Sequence, residues 1–218
     1  MHEFLPASYG DFSATAGFCF SLLARTLRIR RGFVLYAAPT FHLFREGAPF
    51  PPGFMAFGCS PDQFIEARAR KSEDVLWAME EGLENAAIAA VVGVLPENDR
   101  AYDFTASRRL AMRASEHGAT AFLLRGRQDV ELATAADTRW RVAAASSAPR
   151  SWPGRRTPGL GNPQWRVELT KARRGAPGAW RIVWDDETFS FRLASPLADR
   201  KTVPAHGGDL GERRVGAL

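Results

Sequence analysis

The run AAVVGVL at residues 89–95 decides the fold. It is apolar at every position and so lacks the alternation of a strand with one wet face. It reads as a strand buried on both sides, in a sheet covered by helices on both faces. Working upstream, a short strand-like run over residues 4–5 breaks at Pro6, and a turn-rich stretch over 6–11 leads into a helix over 13–28. Phe18, Leu22 and Leu23 recur there at helical spacing, and Gly32 ends the segment. Residues 33–37 read as a buried strand, 48–53 as a Pro/Gly-rich loop and 64–67 as a short strand. Ser72 is expected to cap a second helix, with Glu73 and Asp74 favouring its positive end, Val75, Met79 and Leu83 on one face, and Asn85 at its close. Downstream, a helix over 105–117 stops at Gly118 and a strand follows over 120–124.

Beyond that point the style changes. Residues 125–137 form a polar loop that is long for a compact domain. Strand-like runs then follow over 139–144, 165–170, 180–184 and 189–193 with no long helix between them, and these are expected to extend the sheet in antiparallel fashion. Residues 148–163 repeat Pro, Gly and Arg as a loop. One α/β domain over residues 1–195 is expected, followed by a tail over 196–218 that lacks apolar periodicity and reads as disordered.

The composition is that of an ordinary globular domain, 45% apolar and 24% charged in 218 residues, with a net charge of +5. Of its 29 cationic residues only Lys71, Lys171 and Lys201 are lysines, and 26 are arginines. A phosphate-cradling GxxxxGK[ST] loop needs a lysine directly after glycine, but these three follow Arg70, Thr170 and Arg200. Cys19 and Cys59 lie far apart, and His2, His42, His117 and His206 never fall at ligand spacing, so a structural zinc site is excluded. The longest apolar stretch, 86–95, is too short to span a bilayer, and Glu3 stands where a secretion signal would be basic. The expected location is the cytoplasm, with no cofactor and no metal.

Nucleophilic chemistry has little support, because there is no GxSxG elbow and no histidine has a serine or cysteine motif beside it. Gly159-Leu160-Gly161 lacks the third glycine of a dinucleotide loop and precedes a strand. Glu80 with Glu81, and Asp185, Asp186 with Glu187, read as solvated surface. The feature with most content is the dipeptide Trp-Arg, found at 140–141, 165–166 and 180–181 in strand-like runs. Alternation puts Trp140, Trp165 and Trp180 on one face and Arg141, Arg166 and Arg181 on the other, with Arg139 joining Arg141. Together with Arg125, Arg127, Lys171, Arg173 and Arg174, this is a footprint for nucleic-acid phosphates, in the half of the chain beyond residue 100 that holds 20 of the 29 basic residues. The alternative reading is a half-buried antiparallel extension with its arginines in solvent. Arg108, Arg109 and Arg113 on the third helix carry the same two readings.

In order and residues the chain resembles the ImuA family of catalytically degenerate RecA relatives. The likeness rests on HEFLPASYGDFSATAGFCFSLLART, PPGFMAFGCSPDQFIEARARKSEDVLWAMEEGL, DFTASRRLAMRASEHGATAFLLR, TRWRVAAASS, PGLGNPQWRVEL and AWRIVW, spanning roughly residues 2–194. WAMEEGL and TASRRLA are its most specific segments. The resemblance implies a RecA-like three-layer fold whose mostly parallel central sheet is extended by antiparallel strands toward the C-terminus. It places the degenerate phosphate loop at residues 6–17, with Ser13, Thr15 and Gly17 at nucleotide-site positions. The lost metal-binding aspartate falls at Gly93 and the lost catalytic glutamate around Pro39. It matches the 125–137 loop to the region that in RecA contacts single-stranded DNA. Members of the family usually carry a further N-terminal segment of several tens of residues, which is expected to be missing here.

The function so implied is a non-enzymatic accessory protein of SOS-induced error-prone translesion DNA synthesis. Its expected partners are an ImuB-like Y-family polymerase homologue and an error-prone DNA polymerase of the alpha type, with RecA and single-stranded DNA as further expected partners and no membrane. The alternatives are a SulA-like cell division inhibitor and a single-stranded-DNA-binding RecA paralogue with residual nucleotide binding.

Overall fold

A computed structural model describes residues 1–127, 132–151, 154, 157 and 159–194. It is an α/β fold of three layers. The nine strands among these residues are β1 (His2–Pro6), β2 (Phe33–Pro39), β3 (Phe64–Ala69), β4 (Ile88–Leu95), β5 (Thr120–Arg125), β6 (Thr138–Ala145), β7 (Gln164–Ala172), β8 (Gly178–Asp185) and β9 (Ser190–Leu193). They form one sheet in the order β3-β2-β4-β5-β1-β6-β7-β8-β9. The pairs from β3 to β6 are parallel, and β6 to β9 continue antiparallel. The fold class read from the sequence is therefore the one observed.

All eight residues of β4 are buried, as its unbroken apolar run requires. Ala90, Val92 and Val94 face α1 (Phe12–Ile29), and Val91 and Leu95 face α4 (Ser72–Glu84) and α5 (Phe104–His117). Two short helices, α2 (Thr40–Glu46) and α3 (Pro51–Ala56), complete the α1 side through Leu43 and Phe54. Here the sequence reading needs correcting, because residues 48–53 are not all loop. Pro51 and Pro52 open α3, where the first turn has no use for the N–H that proline lacks.

The expected face of the second helix is observed, with Val75, Met79 and Leu83 fully buried and Asn85 at its end. Ser72 is not its cap, however. Lys71 holds that position, while Ser72 sits in the first turn and donates its hydroxyl to Asp99. The third helix is capped by Asp103, which accepts from the Ala106 N–H at 2.7 Å, and Gly118 ends it in the left-handed conformation.

In the antiparallel extension Trp140, Val142, Trp165, Val167, Ile182 and Trp184 share the face toward α1. Phe18 of α1 meets Trp140 at 5.5 Å, Trp165 at 5.9 Å and Phe191 at 5.7 Å between ring centroids. Among the described residues no helix covers the opposite face of β7 and β8, where Arg166 pairs in register with Arg181. The division of Trp from Arg by strand alternation is thus as expected. Asp185 accepts from the Glu187 and Thr188 N–H groups, which makes 186–189 the turn into β9. The tail expected over 196–218 lies outside the described residues.

Candidate functional site

In open α/β sheets ligands bind beyond the carboxyl ends of the parallel strands, so the turn from β1 into α1 is the first place to look. Residues Tyr9–Asp11 form a single 3₁₀ turn, and Asp11 closes it. The Asp11 carboxylate accepts from the Ser8 N–H at 3.0 Å and the Ser8 hydroxyl at 2.6 Å through Oδ2, and from the Ala144 N–H at 2.9 Å through Oδ1. Partial burial opposes its ionisation, but these three hydrogen bonds outweigh that and hold its pKa below the ordinary carboxylate value. One donor of this turn, the Ser8 N–H, is therefore engaged by the protein's own anion at the place where a helix start would meet a phosphate, while the Asp11 side chain makes no capping bond to the first turn of α1.

This geometry gives a test. A group with a lowered folded pKa favours the folded state above the unfolded value, and its contribution is lost as pH falls through the folded one. D11A is expected to lower stability at neutral pH by about 1 kcal/mol, the usual cost of a lost cap. It should also flatten the loss of stability on acidification, as read from urea unfolding between neutral pH and about pH 3.

Of the other expected nucleotide-site positions, all but Ser13 are taken up by packing or hydrogen bonds of the fold. Thr15 is buried and donates to the Asp11 carbonyl at 2.8 Å, while Ser13 is exposed. Gly17 packs on aromatic rings, and a Cβ there would meet Phe57 at 3.4 Å and Trp165 at 3.5 Å. Pro39 is buried at the end of β2, followed by Thr40, whose hydroxyl donates to the Ala69 carbonyl at 3.1 Å. Gly93 sits under α4, and a Cβ built on it falls inside the Met79 thioether. Any side chain at 93 must displace the Met79 side chain from beneath α4.

Two of the arginines assigned to DNA contact must be reassigned. Arg139 is 6% exposed and Arg125 1% exposed, and both surround Glu3, which is fully buried. Arg139 Nε donates to Glu3 Oε2 at 2.6 Å, and its Nη2 donates to the Leu132 carbonyl at 2.8 Å. Thr134 and Tyr102 hydroxyls both donate to Glu3 Oε1, and the Arg125 guanidinium lies 4.8 Å over the Tyr102 ring. The reason is register, since Glu3 on β1 stands between Leu123 of β5 and Arg139 of β6 in the middle of the sheet. A carboxylate there needs cations, and these two arginines supply them. Arg139 ties Leu132 to the sheet, and both guanidiniums are buried away from solvent.

The remaining arginines stay outside. Arg127 is exposed. Arg141 lies 3.3 Å from Glu168, and Arg166 is exposed beside Asp11. Arg173 lies 3.4 Å from Asp137, Lys171 donates to the Thr134 carbonyl, and Arg174 is exposed. The structure does not gather these residues at one point. It places Arg141 and Arg166 on the uncovered face of β7 and β8, Lys171, Arg173 and Arg174 along a groove beside α5, and Arg127 next to Pro96 and Glu97 beyond the ends of β4 and β5. Arg109 and Arg113 bind Glu80 and Glu84 across the α4–α5 contact, which is the structural reading of that pair. Sequence reasoning missed Asp11, whose signal was a serine and an aspartate three apart before an apolar helix.

These features define a class, a three-layer α/β protein whose mostly parallel sheet is extended by antiparallel strands and whose β1–α1 turn holds its own carboxylate. No family model matches the chain. Protein ImuA, in two strains of Caulobacter vibrioides, is 31% identical over 221 residues, covering 95% of this chain and 85% of the relative. Among solved structures, SulA from Pseudomonas aeruginosa aligns with a TM-score of 0.40 and 16% identity, over 57% of this chain and 96% of that one. The chain belongs to the ImuA family.

Proposed function

We propose that this chain is a non-enzymatic accessory protein of SOS-induced, error-prone translesion DNA synthesis. It works in the cytoplasm with an ImuB-like Y-family partner and an error-prone polymerase of the alpha type. The observation that carries this reading is the Asp11 carboxylate held in the β1–α1 turn, in a chain of the ImuA family. A turn already holding an anion gives triphosphate no purchase, and the scaffold is left with its surfaces as working parts. Co-purification with the ImuB-like protein of the same genome tests the reading. Association at micromolar concentration is expected, and its absence would refute the adaptor role.

A contact with single-stranded DNA, reaching a RecA filament, is supported by the uncovered face of β7 and β8. Arg166 and Arg181 stand directly opposite one another there, with Arg141 alongside; Asp11 and Glu168 offset part of this charge, and like charges so paired favour a further anion. Replacing Arg141, Arg166 and Arg181 with glutamine is expected to weaken oligonucleotide binding. It should also flatten the salt dependence, by about 0.7 in log–log slope for every phosphate that is no longer neutralised. Unchanged binding and slope would make this face ordinary solvated surface.

A further inference from the structure

A groove of about 600 Å³ runs between α5 and the sheet, with Phe104, Arg108 and Met112 on the helix wall and Lys171 and Arg173 on the strand wall. It continues past Ala111 and Ser115 into a second hollow of about 430 Å³ that reaches Arg174. Its chemistry has two parts. The floor is apolar and open, since Phe104 is 51% and Met112 49% exposed on a helix whose other outward positions are mostly polar. The rim is cationic. The carboxylate of Asp137 in the second hollow already accepts from Arg173 and from the Met1 amino group. Arg109 and Arg113, one helix face away, are neutralised by Glu80 and Glu84. Among the described residues no carboxylate is ion-paired with Arg108 or Arg174.

Charge complementarity calls for an anionic occupant, and the floor decides which kind. A single-stranded nucleic acid needs a succession of aromatic rings on which its bases stack, and this groove offers one ring, Phe104, at one end. A methionine thioether instead adapts to the side chains of a protein. From Phe104 to Ser115 the helix wall is about 16 Å long, roughly three helical turns. We propose that the groove docks an acidic amphipathic helix of a protein partner. Its apolar ridge would lie on Phe104 and Met112, with carboxylates meeting Arg108 on one side and Lys171, Arg173 and Arg174 on the other. The inference rests on the groove alone and stands or falls separately from the role in translesion synthesis.

The test uses the full chain and a fluorescein-labelled, alanine-rich helical peptide of about 16 residues, with leucines on one face and glutamates flanking them. Fluorescence polarisation is expected to give a dissociation constant on the order of 10 µM. Affinity should fall tenfold or more when lysines replace the glutamates, and likewise in the R108E/R174E and M112E variants, whose thermal melts should match the wild type. No binding, equal affinity for the lysine peptide, or indifference to those substitutions would overturn the proposal. So would an oligothymidylate of about 20 nucleotides that displaces the peptide and is itself lost in M112E, because the groove would then read nucleic acid.

Discussion

Replacing Glu3 with glutamine is expected to lower the melting temperature by about 6–20 °C. Glu3 is the single carboxylate of a buried cluster whose other members are Arg139, Arg125, Tyr102 and Thr134. Removing one partner of a buried ion pair leaves the other charge without compensation and costs about 3–5 kcal/mol, and each kcal/mol moves the midpoint of a domain this size by about 2–4 °C. Glutamine keeps the volume and an acceptor oxygen, so the measured loss isolates the charge. The E3Q/R139M double variant should recover part of the loss by removing one of the two stranded cations, while Arg125 keeps the recovery incomplete. A melt unchanged in E3Q would mean that the cluster is not the anchor its geometry indicates.

Gly93→Asp introduces an aspartate at the position that the family resemblance matches to a metal-binding residue, and it is expected to unfold the protein. The new side chain must enter the space of the Met79 thioether beneath α4. Overpacking of that kind costs about 1–3 kcal/mol, and the buried carboxylate finds no cation among the apolar neighbours Ala37, Val91 and Leu123 of that face, which adds several kcal/mol more. Soluble yield and the cooperative melt should both be lost. Met79→Ala in the same chain relieves the clash but not the charge, so G93D/M79A should recover only part of the stability. Neither variant is expected to hydrolyse ATP. A well-folded G93D would show that the space under α4 adapts more freely than its packing indicates.

Much of the fold is legible in the sequence because it follows from local periodicity. β4 announces itself by being apolar on both faces, and the Trp-Arg repeats announce a sheet with one aromatic face. What stays hidden is what covers each face. Arg139 and Arg141 share a side of β6, as alternation requires, but residues 132–136 lie over Arg139 and leave Arg141 in solvent. That difference depends on β1, five residues ending in proline, entering the middle of a nine-stranded sheet, and no local pattern encodes the placement. α2 and α3 escape notice because they are short, and α2 leaves Phe41 and Phe44 exposed, which blurs an amphipathic stripe. That no lysine directly follows a glycine is visible in the sequence itself. That the turn is filled by Asp11 is a tertiary fact, since one of its three donors is Ala144, 133 residues away.

The central claim is that the β1–α1 turn carries its own anion where a nucleotide would set its phosphates. Thermal unfolding with and without Mg-ATP tests it most directly. A ligand at about 100 times its dissociation constant stabilises the folded state by about 2.7 kcal/mol, which corresponds to a rise of about 5–10 °C for a domain of this size. With the turn filled by Asp11, no shift is expected at any millimolar nucleotide concentration. A rise that saturates with Mg-ATP, and that grows in D11A, would contradict it.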